Sequence, residues 1–492
     1  MATTAQGSRR NTAPRESMSR VDTAWLRMER PTNPMMITGV LMFDEPMTRV
    51  QLKRVIRERF LAYTRFGQRA VDTAAGASWQ VDPHFDIDWH VQLTALPGRA
   101  GPIAEKKALQ RLASQLASTP LEHSRPLWQF HLVERYHGGS ALIARIHHSY
   151  ADGIALVQVL LSLTDTTPTP AKGDRLAQAW LKEDGAGVAR RVGAVGRTMK
   201  LGRKVASKGM AMYRDPTLAA LLAREGGELA RELLNALALP DDPPSLLRGT
   251  PGTSKRVAWA APLHLDEVKA VGRACGCTVN DVLMATAAGA LRAYMRGRGD
   301  DVDGMTLRAT VPVNLRPLEH ARKLGNHFGL VFLDLPVGEA NPIARVARVA
   351  ACMDGLKRSR QAVMAYGLLA ALGIAPPAVQ AVALELFSRK ATAVATNVPG
   401  PQQPLYMAGC RVREMMFWVP QTGSIGVGIS ILSYENRVHF GLIVDGKLVP
   451  DPDVVVQRFG VEFDNLVHLA LMSNWDHPLD AEAARALMPA DG

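Results

Sequence analysis

Cysteine is scarce in this sequence. Its 492 residues include only Cys275, Cys277, Cys352 and Cys410, which are too few and too irregularly spaced for a disulfide framework. A chain of this length can bury a large core without cross-links, so we expect a reducing environment. Residues 1–17 contain basic side chains but no apolar core. They predict a disordered lead-in, not a secretory signal.

Signatures of several catalytic chemistries are also absent. The sequence has no Gly-x-Ser-x-Gly elbow, no recognisable cysteine nucleophile and no His-Glu-x-x-His pattern. Cys275 and Cys277 lack a second pair at the spacing that zinc sites use. The sequence therefore favours direct attack promoted by a base, without a metal ion or other cofactor.

Acidic residues are missing from one stretch, residues 186–214. The formal net charge of the chain is +12, and this stretch carries eight basic residues: Arg190, Arg191, Arg197, Lys200, Arg203, Lys204, Lys208 and Arg214. Such clustering argues against a nucleic-acid protein, whose basic residues spread along a docking face. Apolar residues recur there every three or four positions. Both a basic amphipathic helix on an anionic membrane and a solvated basic helix packed on the protein remain open.

Charge is absent from residues 361–384. Gly373, Pro376 and Pro377 interrupt this run, because proline removes a backbone donor and clashes with the preceding turn. The pattern predicts two apolar helices joined by a bend. These helices could form a buried hairpin, or an apolar wall for a greasy ligand or a membrane contact.

Strand-like and helix-like runs define five regions and an α/β fold. We predict a lead-in at 1–17, an α/β half at 18–169, a helical basic linker at 170–254, a second α/β half at 255–480, and a tail at 481–492. The second half ends in two strand-like runs joined by the turn-forming residues Glu435 and Asn436.

The strongest chemical signal is the segment from His147 to Gly153. It follows the apolar run ALIARI and precedes the helix-like run IALVQVLLSL, so it lies at a strand-to-helix junction. Strand alternation places His147 with Ile143 and Arg145, and His148 on the opposite face. The two imidazoles should therefore point in different directions, and only one should meet a substrate.

Histidine suits general-base catalysis because its ordinary pKa is about 6.5. Asp152 could cap the following helix or pair with an arginine, while Gly153 permits close backbone approach. Arg316, Arg145 and Arg65 are equally available as that arginine.

Residues His147 to Gly153 match the HHxxxDG motif of the chloramphenicol acetyltransferase-like superfamily. Within it, the chain resembles the bacterial wax ester synthase/diacylglycerol acyltransferases from about Met18 to His477. Further matching segments are SRVDTAWLRMERPTNPMMITGVLMF, FDIDWHV, Ser124–Trp128, Thr278–Asp281, Val311–Arg316 and Asn397–Pro401. The chain lacks the Gly-Gly-His-Ser carrier signature and the DFGWG element, which weakens a resemblance to peptide-synthetase condensation domains.

The resemblance implies two acetyltransferase-like halves joined by a helical linker, with an active-site tunnel at their interface. His148 would be the base that deprotonates an acceptor hydroxyl, supported by His147 and oriented through Asp152. The alkoxide would attack an acyl-CoA thioester directly, without an acyl-enzyme.

Six further residues have two interpretations each. Asn280 could donate to the oxyanion or cap its helix, and Trp128 could line the channel or anchor the packing. Asn397, with Pro399, Gly400 and Pro401, forms a rigid turn by composition, and could also face the ligand.

We therefore expect a diacylglycerol or long-chain-alcohol O-acyltransferase that makes triacylglycerol or wax esters. Its partners would be acyl-CoA, the acceptor, and an anionic membrane or lipid-inclusion surface, reached peripherally from the cytoplasm. Two alternatives remain at this point: an amide-forming condensation catalyst, and a non-catalytic protein that coats lipid inclusions.

Overall fold

The computed structural model describes residues 15–73, 76–97, 101–169, 239–315, 324–359, 361–372, 377–473 and 477–487. The basic stretch 186–214, most of the predicted linker, and Arg316 lie outside the described residues.

Strands and helices alternate in the N-terminal half. In chain order they are β1 (Arg15–Ser17), α1 (Arg20–Met28), β2 (Met36–Phe43), α2 (Arg49–Val55), β3 (Gln68–Thr73), β4 (Gly76–Val81), α3 (Ile87–His90), β5 (Val91–Leu93), α4 (Pro102–Ser118), β6 (Trp128–Tyr136), β7 (Gly139–His147) and α5 (Gly153–Leu161). A π-helical turn, Ile56–Phe60, and a 3-10 turn, Thr64–Gly67, follow α2.

The C-terminal half is also mixed, which confirms the α/β class. Its elements are β8 (Lys255–Trp259), β9 (Leu263–His264), α6 (Leu265–Ala274), α7 (Val279–Gly297), β10 (Leu307–Asn314), β11 (Phe328–Leu335), α8 (Pro342–Arg358), α9 (Gln361–Leu372), α10 (Pro377–Ser388), β12 (Ala393–Pro399), β13 (Tyr406–Met407), β14 (Cys410–Trp418), β15 (Val427–Tyr434), β16 (Arg437–Asp445), α11 (Pro452–Met472) and α12 (Ala481–Leu487).

Two large sheets organise these elements. The first has the strand order β13-β14-β2-β7-β6-β5, and the second has the order β11-β10-β12-β15-β16-β8. A small sheet of β1, β4 and β3 flanks the first. Strands β13 and β14 come from the C-terminal segment of the chain but complete the N-terminal sheet. The two sheets therefore do not correspond one to one with two chain segments.

Strand β14 fits beside β2 because glycine leaves room for an aromatic ring. A Cβ on Gly39 would lie 2.5 Å from Cδ1 of Phe417, its register partner on β14. Gly441 on β16 similarly faces Trp418, whose Nε1 is 3.0 Å from where a Cβ would stand. Aromatic side chains of β14 thus reach into the space between the halves.

Helix α7 supports the second sheet from behind. Most of its residues are buried, in a core shared with strands β10, β12, β15 and β16. Thr278 caps the helix by accepting from the Asp281 backbone N–H, and the Asp281 carboxylate accepts from the Thr278 N–H at 2.9 Å. In the described parts of the chain no single helix could cross a membrane. One pair bent by 95°, Leu265–Ala274 with Val279–Gly297, passes on length and composition alone.

The predicted terminal hairpin is confirmed as β15 and β16. Glu435 and Asn436 join these strands with φ angles of 48° and 57°, the left-handed geometry of a tight hairpin turn. The two apolar helices predicted for 361–384 are likewise confirmed as α9 and α10. A fully buried hairpin is wrong, however, because Val382 is 62% exposed and Leu386 is 41% exposed on α10.

Candidate active site

The HHxxxDG segment forms a tight junction between β7 and α5. His147 ends β7, and the His148 N–H donates to the Met35 carbonyl at 2.7 Å. The Tyr150 N–H then donates to the His147 carbonyl at 3.1 Å, which turns the chain toward α5. Asp152 caps α5 by accepting from the Ala155 N–H at 2.8 Å. The predicted strand-to-helix junction is therefore present.

His148 lies between aromatic rings from both halves. Its imidazole stacks on Trp25 with ring centroids 4.0 Å apart, and Phe328 lies 5.7 Å away on the other half. The residue is 3% exposed. Burial lowers the pKa of His148 to about 4, and this outweighs the nearby charge of Asp152, which raises it. The imidazole is therefore neutral at physiological pH.

His147 occupies a different environment. Its Nδ1 accepts from the Ser149 backbone N–H at 3.1 Å, so its proton resides on Nε2. That Nε2 lies 3.8 Å from Oε2 of Glu29. Burial lowers the pKa of His147 to about 4, so this ring is also neutral. His147 thus contacts the carboxylate of Glu29, whereas His148 faces the aromatic rings.

Three consecutive residues of the C-terminal half hold the motif from across the interface. The Gly325 N–H donates to the Tyr150 carbonyl at 3.0 Å. The Asn326 side-chain amide donates to the His148 carbonyl at 2.9 Å, and the His327 N–H donates to the Asp152 carboxylate at 3.1 Å. Alternate residues of the motif are therefore fixed by one short segment of the opposite half.

The Asp152 carboxylate thus accepts one N–H from its own helix and one from the other half. Of the candidate arginines, Arg145 donates to Gln129 and to the Thr119 carbonyl. Arg65 pairs with Glu16 at 2.6 Å. Arg316 lies outside the described residues.

An apolar cavity lies beside His148, between the two sheets. It encloses about 960 Å³, including space open to solvent. Both halves line it: Trp25, Ile37, His148, Asp152, Gly153, Val157, Thr310, Pro312, Phe328, Leu330, Phe387, Val394, Thr396, Asn397, Val398, Phe417, Val419, Pro420, Thr422, Ser430, Ile431 and Leu432. A side chain at Gly153 would narrow it, since a Cβ there would lie 3.2 Å from Cγ1 of Val419.

Asn397 lines this cavity, and Asn280 lies behind it. The Asn397 amide donates to Oδ1 of Asn280 at 2.7 Å. Asn280 does not itself line the cavity, and its amide nitrogen lies 3.8 Å from the Met353 sulfur. The helix-capping interpretation of Asn280 is wrong, because Thr278 is the cap. Asn280 instead orients the amide of Asn397.

Three other predicted residues lie away from the cavity. Trp128 is fully buried among aromatic rings, and its indole N–H donates to the Phe66 carbonyl at 2.8 Å. The channel-lining interpretation of Trp128 is therefore wrong, and Trp128 anchors the packing. Pro399 ends β12, and the Gly400 N–H donates to the Ser433 carbonyl at 2.9 Å. The rigid turn predicted from Asn397 onward begins later, because strand pairing with β15 continues to Pro399.

Sequence reasoning missed Trp25, Glu29, Asn326 and Phe328. Trp25 and Phe328 enclose His148, and Asn326 bonds to its carbonyl. Trp25 and Glu29 lie in a segment that contributes only to the family resemblance. The run Gly-Asn-His-Phe-Gly at 325–329 was a possible signal, because two glycines there flank polar and aromatic residues at the start of a strand.

Helices α9 and α10 pack near the aromatic rings of Trp25 and Phe328 that enclose His148. Leu369 of α9 is in the buried cluster around Trp25, and Tyr366 and Leu384 pack against that cluster. Phe387 of α10 lines the cavity. Phe387 lies just beyond the 361–384 run, whose described side chains pack behind the rings that enclose His148, so a ligand wall formed by 361–384 stays a prediction.

Family profiles match most of the chain. The wax ester synthase/diacylglycerol acyltransferase catalytic domain matches residues 18–283, and the C-terminal domain of the same family matches residues 324–467. A protein of Mycobacterium tuberculosis H37Rv, named as a diacylglycerol O-acyltransferase, is 29% identical over 479 residues, which cover 92% of this chain and 90% of that relative. A second protein of that strain with the same enzyme name is 29% identical over 407 residues, which cover 80% of this chain and 83% of that relative.

Two solved structures share the fold. A wax ester synthase/diacylglycerol acyltransferase from Marinobacter aquaeolei VT8 has a TM-score of 0.64 at 20% identity, covering 93% of this chain and all of that one. The first condensation domain of the calcium-dependent antibiotic synthetase has a TM-score of 0.57 at 18% identity, covering 95% of this chain and 99% of that one. At these identities the likeness concerns the fold alone.

Proposed function

This chain belongs to the wax ester synthase/diacylglycerol acyltransferase family, and is an acyltransferase; we propose that it transfers a long acyl chain from acyl-CoA to the hydroxyl group of a diacylglycerol or a long-chain alcohol. The observation that carries the proposal is a neutral, buried histidine, His148, on the wall of an apolar cavity lined by both halves.

His148 is suited to accept a proton. Its ring interacts with its own backbone carbonyl and with Asn326, both of which favour the protonated ring. In its neutral form the ring has one nitrogen with a free lone pair, and in the proposed mechanism that nitrogen takes the proton of the acceptor hydroxyl.

The proposed reaction needs no covalent enzyme intermediate. As the hydroxyl proton moves to His148, the oxygen attacks the thioester carbonyl and forms a tetrahedral oxyanion. Collapse of that intermediate breaks the C–S bond, and the thiolate of CoA takes the proton back from the imidazolium. The products are an ester and free CoA, with His148 returned to its neutral form.

The cavity favours an apolar acceptor. Most of its lining is aliphatic or aromatic. The hydroxyl groups of Thr310 and Thr396 donate to backbone carbonyls at 3.3 Å, and that of Ser430 donates to the Phe417 carbonyl. These hydroxyls are therefore engaged by the backbone, which leaves the lining suited to hydrocarbon chains.

Asn397 is the side chain best suited to stabilise the oxyanion. One amide hydrogen of Asn397 is held by Asn280, and a primary amide carries a second one. A single such donor can contribute about 3–4 kcal/mol to a transition state. We assign Asn397 this role, with Asn280 as a positioning residue.

The test is acceptor-dependent release of CoA thiol. Purified enzyme is mixed with palmitoyl-CoA and hexadecanol, diolein or hexadecylamine, and ester or amide products are separated by thin-layer chromatography. We expect thiol release and ester formation with at least one hydroxyl acceptor, and a loss of about 100-fold or more in His148→Ala. The proposal fails if neither alcohol supports release or if His148→Ala retains full activity. A preference for the amine would favour amide formation.

A further inference from the structure

Glu29 lies directly after α1, close to both histidines of the motif. Its side chain is only 13% exposed. Oε1 accepts from the Met35 N–H at 3.3 Å, while Oε2 lies 2.6 Å from Nε2 of His123 and 3.8 Å from Nε2 of His147. One carboxylate therefore contacts an exposed imidazole, a buried imidazole and a backbone N–H.

Through Met35, Glu29 is also connected to His148. Met35 accepts the His148 N–H through its backbone carbonyl at 2.7 Å and donates its backbone N–H to Glu29. Oε2 of Glu29 also faces Nε2 of His147 at 3.8 Å, beyond hydrogen-bond distance. Glu29 is thus joined to the backbone of His148 through Met35 and contacts the ring of His147 electrostatically.

We propose that Glu29 is a positioning residue for the HHxxxDG motif, and that it is itself held by its 2.6 Å contact with Nε2 of His123. Glu29 holds Met35 by a hydrogen bond, and through Met35 the backbone of His148, while its carboxylate faces Nε2 of His147 at 3.8 Å. The aromatic rings of Trp25 and Phe328 then fix the imidazole of His148 on its other sides. The role of this network in catalysis rests on the proposed function.

The charges around Glu29 favour an ionised carboxylate. Burial raises the pKa of Glu29, but the hydrogen bonds from His123 and from the Met35 N–H lower it, and the result is a lowered pKa. The hydrogen bond to Glu29 raises the pKa of His123, whose side chain is half exposed, and Glu122 acts in the same direction. Arg145 also lies within electrostatic range of Glu29. A carboxylate with these neighbours can remain charged next to a neutral His147.

The first experiment compares Glu29→Ala and Glu29→Gln with a matched control. Glu105 on α4 also faces a histidine: its Oε2 lies 3.9 Å from the ring Nε2 of His137 and accepts the His137 backbone N–H at 2.9 Å. That pair lies at the opposite end of β6 and β7, away from the motif. We expect Glu29→Ala to lower kcat at least ten-fold with KM for acyl-CoA changed less than three-fold, and Glu105→Ala to change kcat less than two-fold.

The Glu29→Gln variant distinguishes a loss of positioning from a loss of the local fold. In Glu29→Gln the side-chain carbonyl can still accept the Met35 N–H, so the local fold is retained, but the new amide group places a donor opposite the Nε2 proton of His147. We therefore expect Glu29→Gln to lie between wild type and Glu29→Ala in kcat, with an unchanged melting temperature. Equal kcat in wild type and Glu29→Ala, or an equal loss in Glu105→Ala, would overturn the proposal.

A second readout does not depend on turnover. Hydrogen exchange, followed by mass spectrometry on peptides that cover residues 144–150, reports the His148 N–H that Met35 accepts. We expect faster exchange there in Glu29→Ala, and unchanged exchange in Glu105→Ala. If the wild-type enzyme releases no thiol with any acceptor, the proposed function fails, while this measurement still decides whether Glu29 holds the motif. Unchanged exchange in Glu29→Ala contradicts the positioning role.

Discussion

Trp25 lies flat against the imidazole of His148, with an interplanar angle of 21° and 4.0 Å between the ring centroids. Trp25 belongs to α1 and His148 follows β7, so the contact joins two elements of the same half beside the cavity. One flat face of the imidazole therefore lies against the indole, and His148 is also one of the residues that line the apolar cavity.

Loss of this stack should reduce turnover without unfolding the protein. An aromatic pair contributes about 0.5–1.5 kcal/mol beyond its buried area. We expect Trp25→Leu to lower kcat by roughly two- to ten-fold, and Trp25→Phe to lower it less. Trp259→Leu is the control, since Trp259 is buried against Trp418 at 6.0 Å and does not line the cavity. A kcat in Trp25→Leu equal to that of Trp259→Leu would contradict a role for the stack.

Asp152 should contribute through its bond to the opposite half. Asp152→Ser retains a residue that caps helices well, but its shorter side chain cannot also reach the His327 N–H. We expect a fall in kcat of ten-fold or more with little change in helix content by circular dichroism. Asn341→Ser makes the corresponding change at the cap of α8, where Asn341 accepts from Ile343 and Ala344, and should leave kcat within two-fold. Equal effects of the two substitutions on kcat would mean that Asp152 acts only as a helix cap.

Asn280 and Asn397 should behave as a coupled pair. If Asn280 acts only by orienting the Asn397 amide, the double variant Asn280→Ala with Asn397→Ala should be no slower than Asn397→Ala alone. A double-mutant cycle on kcat/KM measures this coupling directly. Strictly additive losses would mean that the two amides act independently.

Acid should destabilise the protein between pH 6.5 and 4. Burial lowers the pKa of five histidines to about 4: His90, His131, His147, His148 and His439. In that pH range the unfolded chain binds protons that the folded chain does not. The free energy of unfolding therefore falls as pH falls, by up to about 1.4 kcal/mol per pH unit for each histidine. Asp22 acts in the opposite direction, since burial raises its pKa to about 6.

Urea unfolding at pH 7.0, 6.0 and 5.0 measures this slope. His439→Asn removes one buried histidine from β16, away from the candidate catalytic residues, and should reduce the slope because four of the five histidines with lowered pKa remain. The same substitution at the exposed His264 is the matched control. A slope that is identical in wild type and His439→Asn would contradict the assignment.

Hydrophobic periodicity, together with turn-forming and helix-breaking residues, predicted much of the fold because these signals act between residues close in sequence. The β15–β16 hairpin follows from Glu435 and Asn436, and the sequence also predicted two helices, α9 and α10, within one apolar run. The pairing of β14 with β2 could not be predicted in this way. It depends on Phe417 passing over Gly39, a contact between residues hundreds of positions apart.

The candidate site was predictable only where its residues adjoin in sequence. His147, His148, Asp152 and Gly153 form one motif at one junction. Trp25, Glu29 and Asn326 reach the same histidines through packing and hydrogen bonds from distant segments. A residue close to the motif in sequence can also lie outside the site: Trp128 is enclosed in a separate aromatic cluster.

Binding to an anionic lipid surface should have a charged and an apolar component. Residues 186–214 carry eight basic side chains, and each basic residue near such a surface contributes about 1 kcal/mol. Replacing Arg190, Arg191, Arg197 and Lys200 with glutamine should weaken sedimentation with phosphatidylglycerol vesicles strongly at low salt and little at high salt. The apolar component is expected on α10, where Val382 and Leu386 lie one turn apart and exposed on the same helix that contributes Phe387 to the cavity.

Val382→Ser with Leu386→Ser should therefore weaken vesicle binding equally at low and high salt, because loss of apolar burial is not screened. Val50→Ser is the matched control, since Val50 on α2 is 78% exposed but does not adjoin the cavity. If the charge variant and the α10 variant both sediment as wild type does, the enzyme does not reach its acceptor through these surfaces. If only the α10 variant is impaired, acceptor entry beside Phe387 is favoured, and kcat/KM for vesicle-borne diolein should fall with binding while that for a short soluble alcohol stays unchanged.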